Sequence, residues 1–99
     1  MLETRLSDTL LLRCEALRDR VAATAIGPNA HALRVALAEC DAMERAVVAP
    51  VAVCRLRDAR HWLRLAYGQS LHGYPPDALR RNLLRSLADF SATSEGQGE

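Results

Sequence analysis

The sequence predicts an all-α protein, a compact bundle of about four helices that ends in a helical hairpin. Composition is the first reason. Its apolar residues make up 49% of 99 and come mostly from Ala and Leu, with one Ile, one Phe and one Trp. That mixture favours helix and leaves a sheet little to build from. The second reason is periodicity, because apolar residues recur at spacings of three and four along the chain. The third is punctuation: Gly27-Pro28, Pro50 and Gly73-Tyr74-Pro75-Pro76 divide the periodic stretches into four. The length suits one domain with a single modest core, expected over residues 1–90. Residues 91–99 are nearly all polar or Gly and are expected to form a disordered tail.

The first helix is expected over residues 4–25. Leu6, Leu10, Cys14, Leu17 and Val21 form its inner stripe, and Gly27-Pro28 stops it, with the Gly in the left-handed conformation that often ends a helix. The second is expected over 29–49, burying Leu33, Ala36, Leu37, Cys40, Met43 and Val47. Pro50 separates it from the third, since proline sits well in a helix's first turn. The third, over 51–71, has a seam of alternating small and large residues: Ala52, Leu56, Ala59, Leu63, Ala66 and Ser70. Small residues on one face let a neighbouring helix approach closely. The fourth starts at Pro76, with Asp77 near its positive end and Leu79, Leu83, Leu87 and Phe90 along its inner face.

Charge and cysteine usage exclude several classes of function. Net charge is +1, so the whole molecule is not a polyanion binder. Every basic residue is Arg, which together with abundant Ala is the mark of GC-rich codon usage. Locally, residues 51–85 carry seven Arg against Asp58 and Asp77, a balance of +5. There is no signal-like apolar segment and no run of about eighteen apolar residues, so a membrane span is not expected. Cys14, Cys40 and Cys54 contain no C-x-x-C pair. An odd set of this kind suits reduced thiols in a cytoplasm.

Four constellations invite a chemical reading. His31 lies in His-Ala-Leu-Arg-Val, which resembles the H-x-L-K-G motif of histidine phosphotransfer domains. The resemblance implies His31 as phosphoryl acceptor and Arg34 as the adjacent cation, although Val35 stands where that family has Gly. Arg55 and His61 fit the R-x(4–6)-H pattern of helical HEPN-type nucleases, but on one straight helix they project about 120° apart. Cys54, Asp58 and His61 share a helix side, yet the outer two are separated by about 10.5 Å of helix rise, too far for one metal ion. Arg80, Arg81, Asn82 and Arg85 follow a tight turn, which gives nucleic-acid binding an opening. No cofactor, metal or catalytic residue is expected.

Trp62, Leu65, Ala66, Gly73, Ala78 and Leu79 reproduce part of the tetratricopeptide spacing, and residues 59–90 resemble a hairpin of that family. Such hairpins occur in small cytoplasmic chaperones of bacterial type III secretion systems. The resemblance implies a non-enzymatic adaptor or chaperone that holds a helical segment of another protein, alone or as a homo- or hetero-dimer. On this reading Leu56, Leu63, Tyr67, Leu79 and Leu83 form the core or groove, and Trp62, beside the seam, anchors the partner. The expected partner-binding residues are Trp62, Leu63, Tyr67, Leu79 and Leu83. A phosphotransfer protein using His31, or an Arg-rich nucleic-acid-binding regulator, are the alternatives.

Overall fold

The structure, a computed structural model, describes residues 6–69 and 72–93. Among them the chain forms four helices and no strand: α1 (Asp8–Ala23), α2 (Ala30–Arg45), α3 (Pro50–Tyr67) and α4 (Pro76–Ser91). α1 packs on α2 and α4, and α3 packs on the same two, so the helices close a ring around one core. Their short connections make chain neighbours antiparallel. Two bonds set the direction of the closing pair. Cys14 Sγ donates to the Leu87 carbonyl (3.3 Å) and Arg80 Nη2 to the Thr24 carbonyl (3.0 Å), so α4 descends as α1 rises.

The helix ends differ from the spacing-based expectation for identifiable reasons. α1 begins at Asp8 because the Ser7 side chain accepts a hydrogen bond from Leu10 N–H at 3.2 Å and satisfies one free donor; residues 1–5 lie outside the described residues. Asn29 does the same for α2, accepting from Ala32 N–H at 3.0 Å. At the other end of α1 no left-handed glycine follows the helix. Thr24 leaves in an extended conformation, and Gly27 adopts its φ of 145° further along, inside the connection. α2 stops at Arg45 rather than 49, since Pro50 offers no N–H and holds Ala49 out of the helical region, at ψ 128°. Pro50 then opens α3 as a separate helix.

α3 ends at Tyr67, short of the expected 71. The carbonyls of Ala66 and Tyr67, which a continuing helix would need, accept instead from Gly27 N–H (2.9 Å) and Asn29 N–H (2.8 Å). The α1–α2 connection therefore caps α3. Gly68 makes the exit, where a Cβ would collide with the Arg64 carbonyl oxygen. Gly73, which the tetratricopeptide resemblance places at the turn of the hairpin, has open space around it and no positive φ. Ser70 and Leu71 lie outside the described residues, as do residues 94–99 of the expected tail. Of that tail's remainder, Ser91 is the last residue of α4.

The core matches the four stripes. Ala52, Leu56, Ala59, Leu63 and Ala66 of the seam are at most 1% exposed, and so are Leu79, Leu83, Leu87 and Phe90 of α4. Leu10, Cys14, Leu17 and Val21 are buried from α1, with Leu6 just before it, and Ala36, Cys40 and Met43 from α2. Leu33 and Leu37 are half-buried against them. Ser86, which the apolar pattern passed over, is also buried. An ion pair ties α2 to α3 at the surface: Arg60 reaches Asp41 at 2.9 Å and also pairs with Glu44. Burial works against the Arg60 charge, but the hydrogen bonds it donates to Glu44 and Asp41 outweigh it and raise its pKa.

Packing separates the three thiols. Cys14 and Cys40 are buried and Cys54 is exposed. Burial raises the Cys14 pKa, and it pushes Cys40 up from 9.0 to about 12, with nearby Arg60 opposing. A thiol reagent at neutral pH is therefore expected to titrate Cys54 rapidly in the native protein, and Cys14 and Cys40 only after denaturation. Fast native reaction of either buried thiol would contradict the packing. A raised folded-state pKa contributes stability that is present below pH 9.0 and lost as pH climbs toward about 12. The urea midpoint of wild type should fall across that window, and fall less steeply in Cys40→Ala.

Candidate functional site

Four of the five residues expected to bind a partner lie inside the bundle. Leu63 and Leu83 are 0% exposed, Leu79 1% and Tyr67 2%. The seam does receive a helix, but that helix belongs to the same chain. α3 packs on α4 and α2 while α1 closes the ring, so Leu63, Tyr67 and Leu83 are core rather than an open groove, and Leu79 is core that reaches an open cleft only at its edge. Tyr67 also ties the bundle end together, its hydroxyl donating to the Thr24 carbonyl at 3.4 Å. Burial raises its pKa, partly offset by Arg80.

Trp62 is placed differently. It is half-buried on the side of α3, and its ring meets Tyr74 edge-on at 5.4 Å and His61 at 5.3 Å. His72 lies against the far side of this cluster, 6.1 Å from the Tyr74 ring. Tyr74 stays 46% exposed. It also lines an open cleft of about 440 Å³ whose walls include Ile26, Leu65, Pro76 and Leu79. Tyr74 thus joins a concave apolar surface at one end of the bundle to the Trp62 ring beside it. Sequence reasoning found Trp62 and missed Tyr74 and Ile26, because both sit in connections, where periodicity says nothing. The signal available was chemical: an Ile and a Tyr inside otherwise turn-like segments.

The arginines of residues 51–85 do not act as one patch. Arg60 is held by Asp41 and Glu44, and Arg80 turns inward to the Thr24 carbonyl. Arg55, Arg57, Arg64, Arg81 and Arg85 remain exposed. The fold creates a different asymmetry, along the bundle axis. By backbone position the half that contains the cleft, residues 16–37 and 59–82, holds seven Arg against Asp19 and Asp77, and also His31, His61 and His72, but Arg18 lies beside Asp8 and Glu15 of the other half and Arg60 pairs with its Asp41 and Glu44. The other described half holds five Arg against seven acids.

The chemical candidates are dispersed. His31 is exposed in the first turn of α2, with Arg34 exposed and Val35 half-buried. Arg55 and His61 are both exposed on the regular helix α3, and the His61 ring is engaged by Trp62. Among the described residues no group of three or more His, Cys, Asp or Glu could hold a metal ion. Among the described residues no helix is long and apolar enough to cross a membrane. Comparison with protein families, characterised proteins and solved structures finds no match.

Proposed function

We propose that this chain is a non-enzymatic protein-interaction module, a small helical adaptor or chaperone, that receives a helical segment of a partner at the Trp62–Tyr74 rim and its cleft. The observation that supports this is Trp62 itself. Half-buried, it packs on the edge of the core, and its ring meets His61 and Tyr74 edge-on, Tyr74 in turn lining the apolar cleft. An aromatic already held in place loses little freedom on binding, and such residues dominate interface energetics. The resemblance of residues 59–90 to a tetratricopeptide hairpin, and through it to small secretion chaperones, points the same way.

The test is capture of partners from the cells that make the protein, using wild type and Trp62→Ala. Because the side chain sits at the edge of the packing, the variant is expected to keep its helical circular dichroism. Loss of an anchor of this kind costs about 2 kcal/mol or more, roughly thirtyfold in affinity, so the partner recovered with wild type should disappear. Recovery of the same partner at the same yield by Trp62→Ala would overturn the proposal.

A further inference from the structure

We infer that His72 is a proton-operated latch on Tyr74: neutral, it holds Tyr74 against Trp62, and protonated, it lets Tyr74 go. The use of such a latch, proton control of the Trp62–Tyr74 pair, rests on the interaction reading above. The latch itself is a property of this chain alone.

The chemistry lies in one hydrogen bond. Tyr74 N–H donates to Nδ1 of His72 at 3.3 Å. An imidazole nitrogen accepts only while it carries no proton, and in the imidazolium both nitrogens are donors. With Nδ1 accepting, the ring's own proton sits on Nε2, so an incoming proton has only Nδ1 to take. Protonation then sets two N–H groups against each other where a bond stood. Histidine is the side chain that makes this change between about pH 5 and 8.

Position extends the effect of that bond. The Tyr74 ring meets Trp62 edge-on at 5.4 Å, and the His72 ring lies 6.1 Å from Tyr74, tilted by 44°. The bond fixes the Tyr74 backbone, and the ring contact depends on where that backbone stands. Gly73, between the two residues, has open space around it, so the turn can rearrange without a collision. His72 and Tyr74 are both exposed, so water delivers the proton and then hydrates the freed N–H.

The other titratable groups are placed differently. His72 and Tyr74 line one cleft with Gln69 and aliphatic residues, and among the described residues no charged side chain lines it. From the α1–α2 connection that cleft takes Ile26, Gly27 and Pro28, which do not titrate. Arg64 in the last turn of α3 and Asp77 in the first turn of α4 are exposed outside it. His61 touches the Trp62 ring from α3, and is the group to be separated from His72.

Nuclear magnetic resonance of the full chain between about pH 8 and pH 5 reads the latch directly. The Tyr74 amide resonance should move with the His72 ring protons, at one shared midpoint. The Overhauser contact between the Trp62 and Tyr74 rings should weaken through the same transition. One net hydrogen bond corresponds to about a fivefold change in the ratio of held to released Tyr74. His72→Asn, whose side-chain oxygen accepts without titrating, should keep the ring contact across the range. His72→Ala should show the weakened contact throughout, and His61→Gln should leave the transition in place. The inference is overturned if the Tyr74 amide and the ring contact stay constant while His72 titrates. It is equally overturned if the transition persists in either His72 variant, if it vanishes in His61→Gln, or if His72→Asn and His72→Ala hold Tyr74 alike. Partner capture decides the other question: if Trp62→Ala keeps the partner, the interaction reading fails, whatever Tyr74 does with pH.

Discussion

Leu63→Ala is expected to lower the unfolding free energy by about 4 kcal/mol, near the upper part of the range for emptying a core leucine site. Leu63 is fully buried, and its nearest seam neighbours, Ala59 and Ala66, are buried alanines with no side chain to lean into the hole. The cavity therefore stays open, and the cavity cost is added to the lost transfer energy. Against a total stability of roughly 5–15 kcal/mol for a domain of this size, the urea midpoint should drop by a large fraction. A loss below about 1 kcal/mol would place Leu63 on an open surface, as a groove residue rather than part of the core.

Ala59→Leu should damage the same seam from the opposite direction. Ala59 is fully buried on α3, which packs on both α4 and α2, and close helix approach depends on small residues along its seam. Added carbons must push α4 away or force strained rotamers, at about 1–3 kcal/mol or more. Helical circular dichroism should survive near neutral pH while the thermal midpoint falls by several degrees or more. A neutral or stabilising result would show slack in the seam. The two variants together test whether small and large residues interdigitate along α3, since a loose core would tolerate one of them.

How much of this was legible in the sequence follows from which interactions are local. The four inner stripes were readable because each depends only on spacing within its own helix, from Leu10 and Cys14 to Leu87 and Phe90. The helix ends were less so. α3 stops at Tyr67 because Gly27 and Asn29 reach across to its last carbonyls, a contact between residues some forty positions apart. The pivot is Gly68 instead of Gly73 for a reason visible only once the Arg64 carbonyl is in place. The seam announced a helical neighbour and could not say whose helix it was. The answer, α4 of the same chain, removes Leu63, Tyr67 and Leu83 from any open groove, leaves Leu79 as a buried wall of the cleft, and leaves Trp62 at the surface. Charge behaved similarly. A count over residues 51–85 suggested a basic hairpin, whereas folding spends Arg60 on Asp41 and Glu44 and Arg80 on the Thr24 carbonyl.

The central claim, that partners meet this protein at the Trp62–Tyr74 rim, is tested most directly by site-specific photocrosslinking in the cells that make it. A photoreactive aromatic residue would replace Trp62 in one variant and Leu12 in another. Leu12 is a large apolar side chain, 65% exposed, on α1 and away from the cleft. The expected result is a discrete crosslinked partner from position 62 and none from position 12. Crosslinking from position 12 alone, or equally from both, would contradict the assignment of the rim as the docking face.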